Sequence, residues 1–366
     1  FMCDTGDRLA QAWSPVSHMN AVVNSDALRD AYNACLPKLS QYWTEMGQHQ
    51  GLYQAFKQLA ESAAYPQLDT AQRKVVDNAL RDFRLSGIAL NTADQQRYAV
   101  LQQKLSELTT RFSENLMDAT DGWHKLLSEE QALAGLPPMA LAAAQQMAQA
   151  KGQQGWLVSL DFPSYFAVIT YADDRALRQE IYTAFVTRAS DQGPHAGRWD
   201  NTPVMEEILT LRAELAQLLG FESYAHYSLA TKMAETPEQV TGFLTDLADK
   251  SLAGARQEFS ELQAFARQEY GAEALQAWDI SYYAEKLKQA RYAISQEAIR
   301  PYFPLAKVLD GLFQVTGTLF DIQIEEVEQF DRWHDDARLF TVSRNGELIA
   351  RFYLDPFARE KKRGGA

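Results

Sequence analysis

The sequence predicts a mostly α-helical protein, a multi-helix body with a short β segment near residues 157–171 and a hairpin near residues 339–355. Through most of the chain, apolar residues recur at steps of three and four, which is the period of an amphipathic helix. Close to the end this period shortens to two, the period of a strand. Hydrophobic residues make up 46% of the chain and charged residues 23%, so there is enough apolar material for a sizeable core.

The N-terminal half carries the clearest helical stripes. A stripe at residues 75–83 predicts a helix whose first turn is capped by Asp69 or Thr70. A segment rich in alanine and glutamine predicts a further helix from Pro138 to about Gly152. Between them, a longer stripe predicts one long helix with a packed apolar face: Leu101, Leu105, Leu108, Phe112 and Leu116.

The composition changes after residue 152. Residues 157–160 and 165–171 are rich in apolar, β-branched and aromatic side chains, which predicts a short strand pair or a buried extended segment. Helical spacing resumes at residues 177–185. The stretch from 189 to 201 contains two glycines and a proline and predicts a long loop, which is one possible seam between domains.

Two later helices are predicted from the residues that begin them. Thr202 precedes a proline, as expected for a cap before a first-turn proline, and Gly220 supplies a C-terminal stop. Residues 236–239 fit a capping box, in which the glutamine side chain at the fourth position bonds the backbone N–H of the first. The helix that starts there is expected to continue towards Gly271.

The hairpin near the end is predicted by Asn345 and Gly346, because both positions of a two-residue turn tolerate positive φ. Phe340 lies on the strand before the turn, and residues 348–355 alternate in the way expected of the returning strand. A lone hairpin is marginally stable in water. Further strands are therefore expected after Ala366.

Length and charge limit the function classes. The 366 residues allow two or three compact units. With 35 basic and 48 acidic residues the net charge is −13, so neither nucleic acid nor a membrane surface is an expected partner. No apolar run reaches the roughly 20 residues of a membrane-spanning helix, and no signal peptide is recognisable. Cys3 and Cys35 cannot form a disulfide framework for this much chain, which favours the cytoplasm.

No complete catalytic constellation is recognisable, so we assign no catalytic and no metal-binding residue, and the substrate-binding residues stay unknown. No histidine is followed by glutamate or by a second histidine four residues on, so the spacing of a helical zinc hydrolase is missing. Zinc-ribbon cysteine spacing, a nucleophile elbow and phosphate-binding glycine loops are missing too. The six histidines are His18, His49, His124, His195, His226 and His334.

Five weaker candidates each have an ordinary explanation. His226 is a helical surface histidine or lines a groove, and residues 333–336 (WHDD) form a polar turn or hold a metal. Residues 191–194 are a plain connector or a substrate loop. Residues 361–363 are a short basic run that we expect to be solvated. A core position, with hydroxyl groups at its edge, is expected for the aromatic cluster: Trp278, Tyr282 and Tyr283.

Several ordered blocks of sequence resemble the M3 (thimet oligopeptidase) family of zinc metallopeptidases. They are spread from one end of the chain to the other, which is more specific than any single motif. Two of them, residues 13–20 (WSPVSHMN) and 187–194 (TRASDQGP), resemble bacterial members of the family in particular. The other blocks are residues 212–225 (RAELAQLLGFESYA), 232–238 (KMAETPE), 278–286 (WDISYYAEK), 352–355 (FYLD), 358–360 (ARE) and 362–366 (KRGGA).

The resemblance implies a helix-rich, two-lobed fold with a deep channel. Residues 1–150 would be an N-terminal helical domain, and residues 151–366 the start of an incomplete zincin-type catalytic domain. In the family, the His-Glu-x-x-His helix, a downstream Glu ligand and the His and Tyr residues that stabilise the transition state follow the point where this sequence stops. The chain starts with Phe1, which is not an initiator residue, and both ends are expected to be cut. The complete enzyme is expected to bind zinc, whereas this chain alone is expected to bind none and to be inactive.

Three interpretations stay open. The first is a fragment of a monomeric, cytosolic zinc endopeptidase that hydrolyses short unfolded peptides. The second is a helical binding or scaffold protein without a catalytic half, and the third is a dipeptidyl carboxypeptidase of the same family. Within the first, residues 348–355 are a candidate substrate-facing edge, because an extended peptide can add to the free backbone groups of a strand. A plain interior strand is the alternative.

Overall fold

The computed structural model describes residues 2–364, with side chains from Thr5 onward. In this range the chain forms fourteen α-helices and five β-strands, so the mostly helical class is confirmed. The helices are α1 (Met2–Val22), α2 (Asp26–Gly47), α3 (Gln50–Glu61), α4 (Thr70–Leu85), α5 (Thr92–Asp121), α6 (Pro138–Ala150), α7 (Phe162–Tyr171), α8 (Arg175–Val186), α9 (Thr202–Leu218), α10 (Tyr224–Leu229), α11 (Pro237–Tyr270), α12 (Ile280–Tyr292), α13 (Gln296–Ile299) and α14 (Leu305–Phe320). The strands are β1 (His124–Leu127), β2 (Trp156–Ser159), β3 (Gln323–Val327), β4 (Arg338–Arg344) and β5 (Glu347–Leu354).

The chain folds into two compact units. Unit 1 comprises the residues up to 24, residues 119–188 and the residues from 257 onward, and unit 2 comprises residues 25–118 and 189–256. The change of unit after residue 188 coincides with the start of the predicted loop, whose residues form turns and bends but no helix or strand. The division into domains at residues 1–150 and 151–366, which rests on the family resemblance, stays a prediction.

The core of unit 2 forms where α5 packs on α9. Leu101, Leu105 and Leu108 of α5 are buried, and Val204 of α9 is buried in the same cluster. The predicted long helix is therefore confirmed, together with its packed face over these turns. Leu116, at the far end of the predicted stripe, is exposed.

Helix α4 begins at the capping residue that the sequence offers. The Asp69 side chain accepts a hydrogen bond from the backbone N–H of Gln72 at 2.8 Å. In return, the Gln72 side-chain oxygen accepts from the backbone N–H of Asp69 at 3.1 Å. This reciprocal capping box identifies Asp69, rather than Thr70, as the N-cap.

The predicted cap of α9 is wrong by one residue. Asn201 occupies the N-cap position, and Thr202 is already the first helical residue. The Asn201 side chain makes no capping bond, because its amide donates to the Phe112 carbonyl oxygen at 3.0 Å and its oxygen accepts from Asn115 at 2.8 Å. The backbone N–H of Thr202 donates instead to the Asp200 carboxylate at 2.8 Å. The side chain of Asn201 therefore bonds residues of α5 instead of capping α9.

Helix α11 shows half of its predicted capping box. The Thr236 hydroxyl oxygen accepts from the backbone N–H of Gln239 at 3.2 Å, as expected. The Gln239 side chain, however, accepts from the backbone N–H of Glu235 at 2.8 Å and not from that of Thr236. At the other end, Gly271 follows the last helical residue with a φ of 67°, which agrees with the predicted stop.

A two-stranded antiparallel sheet in unit 1 pairs β1 with β2, with Leu126 opposite Leu157. Strand β2 confirms the β segment predicted from residue 157, but the second part of that prediction is wrong, because residues 165–171 lie in α7. Residues 168–171 are all buried. Because they do not alternate between buried and exposed positions, their pattern cannot distinguish a helix from a strand. The local signal for a helix is the proline at its first turn.

The second sheet of unit 1 has three antiparallel strands in the order β3-β4-β5. The predicted hairpin is confirmed, with Asn345 and Gly346 in the turn at φ values of 52° and 78°. Strand β3 lies on the other side of β4, with Ile324 opposite Val342. The sequence analysis missed β3 because it has the sequence QIEEV, in which glutamate, a poor strand former, occupies two of five positions.

Candidate functional site

Strand β5 lies at the edge of the three-stranded sheet, and β4 is its single neighbouring strand in the described part of the chain. Leu348, Ile349 and Tyr353 of this strand are exposed. An extended peptide can add to such an edge through backbone hydrogen bonds, while alternate side chains decide which sequences fit. The position of β5 therefore meets the geometric requirement of a substrate-facing edge.

One face of this sheet packs on helix α14. Phe340 of β4 lies opposite Phe352 of β5, and their rings stack with centroids 5.1 Å apart. The ring of Phe313 from α14 meets Phe340 edge-on at 5.1 Å. These aromatic pairs hold the edge strand, its neighbour and the helix together.

The other face of the sheet carries a second aromatic group. The Tyr353 ring lies 4.8 Å from the Trp333 ring, and His18 meets Trp333 edge-on at 4.9 Å. The neighbouring His334 accepts a hydrogen bond at Nδ1 from the backbone N–H of Asp336 at 3.2 Å. Residues 333–336 thus have the contacts of the polar turn that the sequence predicted as one alternative.

At the end of β5, Asp355 collects three donors. Arg359 bonds both carboxylate oxygens at 2.7 and 2.9 Å, Trp333 Nε1 donates at 3.0 Å, and Lys362 Nζ lies 3.0 Å away. The Arg359 hydrogen bonds, followed by those from Trp333 and Lys362, overcome the effect of burial and hold the pKa of the Asp355 carboxyl well below its ordinary value. The expectation that residues 361–363 are simply solvated is wrong for Lys362, whose Nζ also donates to the carbonyl oxygens of Asp355 and Phe357 at 2.6 and 2.8 Å.

The segment after β5 is joined to the C-terminal end of α1. Arg359 Nη2 donates to the Val22 carbonyl oxygen at 2.9 Å. The Lys361 carbonyl oxygen accepts from the backbone N–H of Asn24 at 3.0 Å, and the backbone N–H of Arg363 donates to the Ala21 carbonyl oxygen at 2.7 Å. This segment, residues 359–363, is therefore joined to the end of α1 by two backbone–backbone hydrogen bonds and one from the Arg359 side chain.

A half-buried carboxylate lies under the same segment. The Asp121 side chain accepts from the backbone N–H of Lys361 at 3.2 Å. Burial raises the pKa of the Asp121 carboxyl to about 6, against the lowering effect of this hydrogen bond. The carboxylates of Asp161 and Glu360 raise it further by repulsion.

We expect Asp121→Asn to stabilise the protein at pH 7 by about 1 kcal/mol, after allowance for solvent screening at this half-exposed position. The folded state holds the proton of Asp121 up to a pH of about 6, whereas the unfolded chain releases it near 3.8. Stability contributed by a raised acid pKa is therefore lost as pH rises from about 4 to 6. Urea denaturation at a series of pH values should show that loss in the unaltered protein and a smaller one in the variant.

The matched control is Asp191→Asn, which removes one carboxylate from an exposed loop position. Because the position is exposed, this variant should not show the gain in stability at pH 7 that is expected of Asp121→Asn. Equal curves for the Asp121→Asn variant and the unaltered protein would contradict the raised pKa of Asp121.

Unit 1 contains a buried ionic cluster that was not predicted from the sequence. Asp279 is 0% exposed and Arg178 1% exposed, and Arg178 Nη2 donates to Asp279 Oδ1 at 3.1 Å. Arg175 donates to the same carboxylate from Nε at 3.0 Å and from Nη2 at 2.7 Å, and the backbone N–H of Gln276 donates at 3.0 Å. Burial favours the neutral acid, but the bonds from Arg175, Gln276 and Arg178 prevail and lower the pKa of the Asp279 carboxyl.

The aromatic cluster adjoins these charges. Tyr282 and Tyr283 are buried with residues of α11, so the core position predicted for them is confirmed. The Tyr282 hydroxyl donates to the Asp173 carboxylate at 2.8 Å, and the Arg178 guanidinium lies over the Tyr282 ring at 4.0 Å. Trp278 is half-buried, and its ring lies 6.0 Å from that of Tyr182.

Two further sequence candidates lie in unit 2. His226 Nδ1 lies 2.9 Å from the Ser223 hydroxyl, which caps α10 by accepting from the backbone N–H of His226. These contacts are those of a histidine in the first turn of a helix, next to its N-cap. Residues 191–194 lie in the loop before α9, where Gly193 has a φ of 79° and its carbonyl oxygen accepts from the backbone N–H of Ala196 at 3.2 Å. Both candidates belong to unit 2, whereas β5 belongs to unit 1.

Unit 1 also contains a cavity of about 900 Å³ between α6, α7 and the chain that follows α12. This volume is in the range of small-molecule sites. Its basic side chains are already paired on their own helices, Lys288 with Glu285 at 2.6 Å and Arg300 with Glu297 at 3.0 Å. The cavity therefore offers mainly an apolar wall, to which these side chains contribute: Met139, Met147, Phe162, Phe166, Ile294 and Ile299.

The family resemblance implies zinc, which needs several His, Cys, Asp or Glu side chains around one point. Among the side chains of residues 5–364, no three from His, Cys, Asp or Glu lie close enough together to hold one ion. The donor set that zinc requires is thus not supplied by this part of the chain. In the same range, every helix is either too short or too polar to cross a membrane.

Comparisons with known proteins agree with the resemblance. The model of peptidase family M3 matches residues 168–366, and the model of the neurolysin/thimet oligopeptidase N-terminal domain matches residues 3–96. Oligopeptidase A of Salmonella typhimurium is 55% identical over 366 residues, which is 100% of this chain and 54% of the relative. Oligopeptidase A of Escherichia coli is 54% identical over the same lengths. The dipeptidyl carboxypeptidase of Escherichia coli is 30% identical over 99% of this chain and 53% of its own length.

The chain thus spans about half the length of the curated relatives it matches. The family match covers more than half of the chain and includes α14, the three-stranded sheet and the Asp279 cluster. On these grounds, the chain belongs to peptidase family M3.

Proposed function

We propose that this chain is part of an oligopeptidase A-type zinc metalloendopeptidase that hydrolyses peptide bonds in short oligopeptides. The main support is the 55% identity to the Salmonella oligopeptidase A, which extends over the whole chain. Identity to the Escherichia coli dipeptidyl carboxypeptidase is 30%, so the oligopeptidase is the better-supported of the two activities. We place the protein in the cytoplasm as a monomer that acts on unfolded peptides rather than on nucleic acid or membranes.

In this proposal the zinc ligands and the catalytic base belong to sequence outside these 366 residues. The chain contains no His-Glu-x-x-His motif, and its described residues offer no three-donor cluster. We assign to it the helical body and the β5 edge that position the substrate. By itself the chain is expected to be inactive.

The decisive experiment extends this chain with the C-terminal remainder of the Salmonella oligopeptidase A. The extended protein should bind about one zinc ion per chain and cleave a short internally quenched peptide, as expected for a three-ligand catalytic site. The 366-residue chain, assayed beside it, should do neither. Zinc-dependent turnover by the 366-residue chain would overturn the proposal, as would a folded extended protein without peptidase activity.

The C-terminal group of the substrate distinguishes an endopeptidase from a dipeptidyl carboxypeptidase. A peptide with an amidated C-terminus lacks the carboxylate that a dipeptidyl carboxypeptidase must recognise, while an endopeptidase cleaves it internally. We expect the extended protein to cleave amidated and free-acid forms of one peptide at similar rates. Release of C-terminal dipeptides from the free acid alone would instead favour the carboxypeptidase.

We also propose that the peptide substrate lies along strand β5. The support is the edge position of β5 in the described part of the chain, which leaves one side available for backbone pairing. N-methylation of a substrate N–H that pairs with the strand should lower kcat/KM of the extended protein by roughly 10-fold or more. If N-methylation has no effect at any of the positions flanking the cleaved bond, backbone pairing with a strand is excluded.

A further inference from the structure

Helix α14 presents an apolar stripe that the described part of the chain leaves exposed. Leu312 is 52% exposed and Leu319 is 70% exposed, although the 16-residue helix that carries them packs on the three-stranded sheet. Exposed leucines that occur singly are ordinary, but a continuous row is not. The row runs the length of the helix: Leu305, Val308, Leu312, Val315 and Leu319.

This stripe differs from the face that α14 uses to pack on its own sheet. Leu309 is buried, and Phe313 packs on Phe340 of the sheet. Leu312 directly precedes Phe313, and successive residues of a helix are turned by about 100° from each other. The helix therefore has two apolar faces, and the sheet covers one of them.

The spacing of the stripe is compatible with a helix as its partner. Its residues follow one another at steps of three, four, three and four. This alternation places every member on one seam and is the pattern by which one α-helix packs against another, side chains of each fitting between those of its partner.

The relatives indicate where the partner helix comes from. The chain covers 54% of the length of the Salmonella oligopeptidase A, and the residues after α14 form the sheet that packs on its other face. We propose that the exposed stripe of α14 receives an amphipathic α-helix from the C-terminal remainder of the full-length peptidase. This inference rests on the proposed function, since that function requires the remainder.

Thiol labelling tests the contact directly. With Cys3 and Cys35 replaced by serine, Leu312→Cys and Leu319→Cys are made both in the 366-residue chain and in the chain extended with the Salmonella remainder. Labelling by a maleimide should be fast in the shorter protein and slower by roughly 100-fold or more in the extended one, because a packed helix must open before it reacts. Val75→Cys on α4 is the matched control, since Val75 is 62% exposed and lies in unit 2, and it should label equally in both proteins.

Equally fast labelling of both stripe positions in a folded extended protein would overturn the inference. Protection that is already present in the 366-residue chain, and that increases with its concentration, would show that a second copy of the chain covers the stripe and would overturn it as well. The readout does not need catalysis. A protected stripe in an extended protein without peptidase activity would therefore contradict the proposed function alone.

Discussion

Replacing Asp279 with alanine is expected to destabilise unit 1 by about 3–5 kcal/mol, because removal of one partner from a buried ion pair leaves an uncompensated charge. Arg178 is the group left behind, and it is nearly inaccessible to water. Arg175, which reaches the same carboxylate from a more exposed position, could be solvated after the substitution. Urea denaturation at pH 7 should show the transition of unit 1 at a clearly lower concentration of urea.

The control for this prediction is Glu214→Ala, which breaks an exposed ion pair with Arg97 on the surface of unit 2. Exposed pairs contribute about 0–1 kcal/mol, so this variant should unfold almost as the unaltered protein does. A loss of the same small size in the Asp279 variant would contradict the buried-charge argument.

The effect of Asp279→Ala should also depend on pH. The folded-state pKa of Asp279 is lowered, so its carboxylate stabilises the folded protein above the pKa of the unfolded chain, which is near 3.8. This contribution is lost as pH falls through the folded-state pKa. The difference between variant and unaltered protein should therefore shrink below about pH 4.

Phe340→Ala is expected to cost about 3–5 kcal/mol, the range measured for truncation of buried aromatic side chains. Phe340 is 2% exposed and contacts two other rings, those of Phe352 on β5 and Phe313 on α14. The cavity left by its ring lies between the sheet and the helix. Amide hydrogen exchange should therefore become faster in both β5 and α14. The increase there should exceed the increase expected from the lower free energy of unfolding alone.

Leu348→Ala provides the comparison on the same sheet. Leu348 is exposed on β5, so its truncation should change the free energy of unfolding by less than about 0.5 kcal/mol. Equal losses for the two variants would contradict the cost assigned to the buried Phe340 ring.

The sequence was most informative where a feature is local. The capping box at Asp69 and the turn at Asn345 and Gly346 each depend on neighbouring residues, and both were predicted in place. The cap of α9 was misplaced because Asn201 is held by contacts with α5, which are distant in sequence. Residues 165–171 were misassigned because nearly all of their side chains are apolar or aromatic, so the sequence shows no polar face from which a helical period could be recognised.

The candidate site was less predictable than the fold. The sequence identified residues 348–355 as a strand, but whether that strand lies at an edge depends on β3, which was missed. The partners of Asp279 are about a hundred residues away in the chain, so no spacing rule connects them. Under the proposed function the metal ligands lie outside these 366 residues, so their positions cannot be predicted from this sequence.

The joining of α1 to residues 359–363 has a consequence for how the protein is made. Arg359 and Val22 bond across 337 positions, so the first helix leaves the ribosome long before its partner exists. All residues of unit 2, by contrast, have been synthesised by residue 256. Contacts between distant positions slow folding and lengthen the time that apolar surface is open to aggregation. We therefore expect α1 to lack its contacts with residues 359–363 while the intervening residues are synthesised.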